Sequence, residues 1–563
     1  MCGFPQGRPG GFFVSKKVSG ISVSAMSRGG IIALGLISLS QECAAVLTDN
    51  LTIGNAKAIS LGHAVTADPP GIDSIHYNPA GLSRLKGRQT QYKLITGTFD
   101  VELEFGDSIP KVQTFLDNKE NSGSFPDGYF DDEAKNTTSK TEGATLMLPF
   151  VGMTDLPMLI GPMGGSSYTP PMGGLTFATN VYAPLAVGFN RAADDPGRFI
   201  GERLSLFKLT YFAPSFAYQV NDSLSIGASM NFSYAGVGLD LTFRGPHSGI
   251  VGLTEMQQGI CNVEGEPIIN LCGSNLGLYD ELGELSVEVE DPLTVGFNLG
   301  ALWSPVEWLT LGLVYQSPVS MEMEGEFTWK SAEVWTSLIN PLIDEPVFGA
   351  TNNLLGLLGW SLPEGKANHE GKAKLDMEMP EHYAVGFSVM LTPSLKVNMD
   401  YKFTAWSAWP ELPIEFSEPI DVLRIAEIIQ PDVATRQSVA FPFGLEDSWN
   451  YALGIEYQFS DSLALRMGYE PRASSVPKES ETPLLPIGDG TLYGLGFAYQ
   501  WDSDSILDVG IGYLKTEVDM KGGESRLGNS TDPTLVIYNP YPGTDITARM
   551  NTFLFELSYH TKQ

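Results

Sequence analysis

The segment TLYGLGFAYQW, Thr491 to Trp501, places Tyr493, Leu495, Phe497, Tyr499 and Trp501 on one face of an extended chain and Gly494, Gly496, Ala498 and Gln500 on the other. One face is greasy and ends in aromatics; the other is small or polar. YALGIEYQF divides the same way, with Tyr451, Leu453, Ile455, Tyr457 and Phe459 opposing Ala452, Gly454, Glu456 and Gln458. In LKVNMDYKF, Leu395, Val397, Met399, Tyr401 and Phe403 oppose Lys396, Asn398, Asp400 and Lys402. A soluble sandwich alternates too, because antiparallel sheets are commonly wet on one side.

Connection lengths separate the two cases. Tight polar turns at Asn221–Ser223, Pro305–Trp308, Thr392–Ser394, Ser460–Ser462 and Asp502–Asp504 join strands in pairs. Between the pairs run long acidic or Gly/Pro-rich stretches, Gly245–Glu284, Thr328–Lys372, Glu418–Asp447 and Lys521–Arg549. Short-then-long alternation brings every second connection out on the same side of a sheet, which is how outer-membrane barrels are built. Strand starts near Arg88, Ala144, Gly173, Leu204, Leu224, Ser286, Leu309, Ala373, Leu395, Ser448, Leu463, Thr491, Ser505 and Met550 make fourteen, an even number as closed bacterial barrels require. One connection breaks the pattern: Met153 to Met172 should be a short turn but is long and Gly/Pro-rich.

The chain has 563 residues and a formal net charge of −32, which argues against a nucleic-acid partner and suits a solvated, acidic outer surface facing lipopolysaccharide and its divalent cations. Near the start, Arg28 precedes an apolar run from Ile31 to Leu39 and then Cys43, Ala44 and Ala45, so residues 1–45 read as a secretory signal peptide; Met26 is an alternative start. The run is far shorter than the roughly 20 residues of a spanning helix. Cleavage leaves Cys261 and Cys272 as the only cysteines, which in an exported protein favours a local disulfide over a metal site. His63, His76, His247, His369, His382 and His560 lack metal-ligand spacing, so no metal or other cofactor is expected.

Residues 46–87 lack alternation and are rich in Ala, Gly and Ser. They cannot span a bilayer as strand and are too apolar for a solvated tail, which suits a plug packed in the barrel lumen. Asn78 before Pro79 is a helix start, with Asn capping free N–H groups, and would turn the chain into the first strand. The sequence thus predicts an all-β fold: a 14-stranded antiparallel transmembrane β-barrel over residues 88–563, long extracellular loops, and an N-terminal plug.

The run GNAKAISLGHAVTADPPGIDSIHYNPAGLSRL, Gly54 to Leu85, resembles the N-terminal hatch of the FadL-type outer-membrane transport family, with its hallmark on Asn78, Pro79 and Ala80 and with Asp68 ahead of it. NVYAPLAVGF, LVYQSP, FTAWS and LALRMGYEP extend the likeness along the chain. The resemblance implies passive carriage of long-chain fatty acids or, in other members, of aromatic hydrocarbons such as toluene and xylene. It also implies a monomeric barrel in the outer membrane of a Gram-negative bacterium, with an apolar path and lateral release at a kink in the third strand. That kink would fall on Asn180, Tyr182 and Pro184, with the Asn-Pro-Ala segment against it. The loops are longer than the family's core needs, the cysteine pair lies outside its pattern, and the terminal aromatic is displaced to Tyr559.

The apolar content of the loop from Ser331 to Pro363, with Trp335, Leu338, Leu354, Leu358 and Trp360, suggests a first-contact groove for hydrophobic small molecules. Lys396, Lys402 and Arg466 are candidates to meet a fatty-acid carboxylate, or else to pair with lumen acids or the plug. IGPMGGSSY lacks the Lys-Ser/Thr ending of a phosphate loop, so transport needs no nucleotide. A general porin would want an open charged lumen without a plug. A barrel enzyme would want a nucleophile pattern that is missing, so no catalytic residues are expected.

Overall fold

The computed structural model describes residues 52–261, 270–357 and 359–562; the expected signal peptide and residues 46–51 lie outside them. Fourteen staves close into one antiparallel barrel. In chain order they are β1 (Arg88–Ser108), β2 (Leu159–Tyr168), β3 (Leu175–Asn190), β4 (Arg203–Phe212 and Ser215–Gln219), β5 (Leu224–Phe243), β6 (Gly283–Val306) and β7 (Leu309–Gln316 and Val319–Ser331). They continue with β8 (Asn368–Met379 and His382–Thr392), β9 (Leu395–Thr404 and Leu412–Phe416), β10 (Ser438–Phe441 and Ser448–Ser460), β11 (Leu463–Arg472), β12 (Gly490–Gln500), β13 (Ser505–Met520) and β14 (Thr544–Lys562). β1 pairs with β14 from Gln89↔Lys562 to Ser108↔Thr544, so the ring leaves no free edge there. Among the described residues no helix is long and apolar enough to cross a membrane; the crossing is made by strands.

The period-two pattern sorts side chains as a lipid-embedded wall requires. Tyr493, Leu495 and Tyr499 of β12, and Trp501 just beyond its end, are exposed on the outside. Gly494 and Gly496 face inward, where a side chain would run into Ile59 and Ser60 of the N-terminal segment.

The second strand corrects the sequence reading. It starts at Leu159, not Ala144, and Ala144–Leu148 and Gly152–Leu156 instead form a separate hairpin. Ala144–Leu148 looks like a barrel strand because four of its five residues are buried. The real strand, LIGPMGGSSY, hides its alternation because Gly164 sits against the Gln91 carbonyl and Gly165 against Asn180, where side chains would collide. With that stave in place, 169–174 becomes a short turn and the loop alternation has no exception. Gly173, Ser286, Ala373 and Met550 shift only to Leu175, Gly283, Asn368 and Thr544.

Residues 52–85 bond to staves all round the ring, which places them within it. Ala56 N–H donates to Ser558 of β14 (3.4 Å). Val65 and Thr66 N–H both donate to Asp400 of β9 (2.8 Å each). Ser229 of β5 and Asn298 of β6 donate to the Ile75 carbonyl (3.0 and 3.1 Å). Inward glycines on eight staves let this segment approach: Gly227, Gly300, Gly312, Gly386, Gly454, Gly468, Gly494, Gly496, Gly510 and Gly512 each lie where a Cβ would strike residues 56–80.

Candidate functional site

Asn78 caps the short helix Pro79–Arg84 by accepting from Ala80 N–H (3.2 Å) and donates to the carbonyls of Thr66 (2.8 Å) and Ala301 (3.2 Å). A Cβ at Gly300 would lie 2.8 Å from Pro79 Cδ. The Asn-Pro-Ala corner therefore rests on β5 and β6. It is His76, two residues earlier, whose ring meets Tyr182 of β3 edge-on at 5.2 Å.

Asp73 is the strongest polar tie. Its carboxylate receives Lys93 Nζ (2.6 Å) and Gln91 Nε2 (2.6 Å) from β1, Asn180 Nδ2 (2.5 Å) from β3 and Asn55 Nδ2 (2.6 Å) from its own segment. One buried side chain thus links the staves on either side of β2. A second cluster centres on Asp68, held by Lys57 (2.9 Å), Lys396 (2.9 Å) and Arg84 (3.4 Å). Burial opposes ionisation there, but those cations hold the Asp68 carboxyl well below the usual carboxylate range.

These ties account for the three cations singled out from sequence. Lys396 also meets Glu456 (2.7 Å), Arg466 meets Glu456 (2.7 Å) and Asp508 (2.5 Å), and Lys402 meets Glu470 (3.0 Å), which also takes His63 (2.9 Å). All three are engaged by acids or by the N-terminal segment.

At the third strand the ladder is broken as a proline demands, since Pro184 has no N–H to donate. The register with β4 shifts between Tyr182 and Leu185, and β3 pairs with β2 only from Phe177 to Val181. On the other side of the kink, where β4 is interrupted at Ala213 and Pro214, Phe177, Thr179, Phe212 and Pro214 border a groove of about 1060 Å³.

Beside the kink lies a polar cavity of about 630 Å³, lined by His76, Tyr182, Pro184, Lys208, Asn231, Asn298, Gln316 and His382 among others; no Asp or Glu is among its described lining residues. Burial pushes the His76 imidazole well down, aided by the nearby His382, Lys93 and Lys208, and Lys208 is the one lysine or arginine among the described lining residues of the cavity. Trp406 also lines it. Its ring meets that of Trp409 edge-on at 5.1 Å, and Trp409 lines a second cavity of about 780 Å³. There Leu204, Leu206, Val237, Leu239, Val287 and Val289 meet Leu375, Phe441 and Leu485, and Thr482 is the one polar side chain among the described lining residues. A third, of about 650 Å³, shares Leu239, Ile414 and Phe441 with it; its Arg244 is bonded to Asp132 (2.8 and 3.2 Å).

The proposed capture loop divides. Trp335 and Leu338, on the helix Glu333–Ile343, are buried in the apolar cluster that includes Trp406 and Trp409, whereas Leu354 and Trp360 are at the surface and Leu358 lies outside the described residues. Cys261 and Cys272 are bonded, Cα to Cα 5.7 Å. Sequence reasoning missed Lys208, Trp406 and Trp409 as site residues. Lys208 could have been noticed as the lone cation inside LFKLTYF, within an otherwise apolar strand.

A family model described as "Outer membrane protein transport protein (OMPP1/FadL/TodX)" matches residues 35–561. The long-chain fatty acid transport protein of Escherichia coli (strain K12) is 19% identical over 298 residues, covering 53% of this chain and 58% of the relative. This chain therefore spans little more than half the length of that relative. Among solved structures, a Pseudomonas aeruginosa FadL homologue superposes with a TM-score of 0.61 at 15% identity, covering 92% of this chain and 99% of the other. The Ralstonia pickettii toluene transporter TbuX superposes with a TM-score of 0.54 at 14% identity, covering 91% and 98%. At these identities the two structures speak for the fold.

Proposed function

The chain belongs to the outer membrane transport protein family OMPP1/FadL/TodX, and from that premise we propose that it admits hydrophobic compounds passively across the outer membrane, with long-chain fatty acids as cargo. Residues 52–85 act as the hatch of the barrel.

The observation that carries the reading is the pairing of two cavities across the Trp406–Trp409 contact, one walled by aliphatic and aromatic side chains, the other basic and free of acids among its described lining. An acyl tail gains about 0.8 kcal/mol per buried methylene in the first, so capture needs no other energy source. Its carboxylate, the only polar part, meets Lys208 in the second, with Asn231, Asn298 and Gln316 as further polar neighbours. This assigns the carboxylate role to Lys208, which lines that cavity, rather than to Lys396, Lys402 or Arg466, none of which is among its described lining residues. Release then proceeds beside Tyr182 and Pro184, where β2 and β3 are unpaired. The apolar lining of the larger cavity also suits a second reading, a neutral hydrocarbon occupying that cavity alone.

Lys208→Met separates the two. A charge-assisted hydrogen bond contributes about 1.5–3 kcal/mol, so uptake of limiting oleate should fall roughly ten- to a hundredfold while uptake of toluene is unchanged. Equal effects on both, or none on oleate, would remove the carboxylate assignment.

A further inference from the structure

The hairpin Ala144–Leu148/Gly152–Leu156 lies against the wall at the place where β2 and β3 part. Which side of the wall follows from parity. Leu204 and Leu206 line the apolar cavity, so Ser205 and Phe207 point outward; Val237 and Leu239 line it, so Gly236 and Gly238 point outward; Val287 and Val289 line it, so Glu288 points outward. The hairpin touches the outward set. Met147 N–H donates to Ser205 Oγ (2.7 Å), Met153 N–H donates to Glu288 (3.1 Å), and a Cβ at Gly236 would lie 2.6 Å from Met147 Cγ. A Cβ at Gly238 would strike the Met153 side chain, and one at Gly188 the Thr145 carbonyl.

Gly188, Gly236 and Gly238 stand where a lipid-facing wall ordinarily carries large apolar side chains. The hairpin fills the space they leave, so its seat is built into the wall. Its turn presents Phe150 and Val151, 91% and 70% exposed, away from the barrel. Leu146, Met147 and Leu159 join one apolar cluster with inward-facing Ile95 and Phe99 of β1 and outward-facing Phe207 and Tyr234. Apolar contact is therefore continuous from lumen to outer face at this gap, and the hairpin supplies the part that the missing β2–β3 ladder does not. It is tied to β3, β4 and β6 by bonds to side chains, including Asn190 to Thr145 (3.3 Å) and Arg203 to Asp155 (3.1 Å), and only its foot at Glu142 and Gly143 is backbone-paired, with Asn190 of β3, so it can lift about that foot without unzipping a stave.

We propose that this hairpin is a movable outer cover of the lateral opening, which must lift for an apolar ligand to pass from the lumen into the bilayer. The inference rests on the transport reading above and adds a second barrier, outside the wall, to the hatch inside it.

The test is a cysteine pair, Met153→Cys with Gly238→Cys, which pins the hairpin to β5. Oxidised protein should still quench tryptophan fluorescence on titration with oleate, yet uptake of radiolabelled oleate should fall at least tenfold and return with dithiothreitol. Each single substitution should transport normally, and wild type reduced in parallel accounts for opening of Cys261–Cys272. Full-rate uptake by fully cross-linked protein, or failure of the pair to cross-link, overturns the cover. Absence of oleate uptake by the wild type itself would instead count against the transport reading.

Discussion

Asp73→Asn should loosen the hatch by about 3–5 kcal/mol, because removing one partner of a buried ion pair leaves the other charge uncompensated. Asp73 and Lys93 are both fully buried and 2.6 Å apart, and the same carboxylate receives Asn55, Gln91 and Asn180. The substitution keeps the size of the side chain but replaces a two-oxygen acceptor with a group that has a single acceptor oxygen and two donor hydrogens, set among four donors. Glu556 of β14, itself buried, is a further acid near Lys93 and should soften the loss, so Asp73→Asn with Glu556→Gln should exceed the single change. Amide hydrogen exchange over residues 52–85 in detergent reads the effect directly. Faster exchange confined to the hatch and to β1–β3 is expected; wild-type protection would mean that the four-donor cluster does not hold the segment.

Gly468→Val combined with Gly494→Val attacks the same seating from the wall. A Cβ at position 468 would strike the Gly62 backbone and one at 494 the Ile59 carbonyl, and neither obstacle is the end of a flexible side chain. Overpacking costs about 1–3 kcal/mol per site, and against two pieces of backbone on adjacent staves the hatch rather than the barrel ladder should yield. Planar-bilayer recording should then show a steady ion conductance where the wild type shows little, with the barrel still heat-modifiable on electrophoresis as a check that it has folded. A closed double variant that folds normally would show that the glycine collar does not seat the hatch.

Much of the barrel was legible because membrane crossing imposes a local rule. Alternation with a greasy face, tight turns and long loops can each be read within a few dozen residues, and the pattern placed most strand starts close to where they fall. It failed at the second stave, where burial of Ala144–Leu148 against an outer face mimicked a barrel strand and glycines in Gly161–Gly165 erased the period. Charge was harder. Lys396 and Arg466 were visible as inward cations, but which acids they meet depends on neighbours 60 and 42 residues away and on Asp68 from the other end of the chain.

By itself the sequence determined that this chain closes into a 14-stranded wall with an unalternating beginning, since side-chain periodicity and connection length are properties of neighbouring residues. Only the tertiary structure decided that inward glycines make room for that beginning, that Lys208 lines a cavity with no Asp or Glu among its described lining residues, beside a tryptophan pair, and that a hairpin packs on the outward side of the wall next to the parted strands. Those facts arise where staves distant in sequence meet, and no local pattern encodes which empty space another segment will fill.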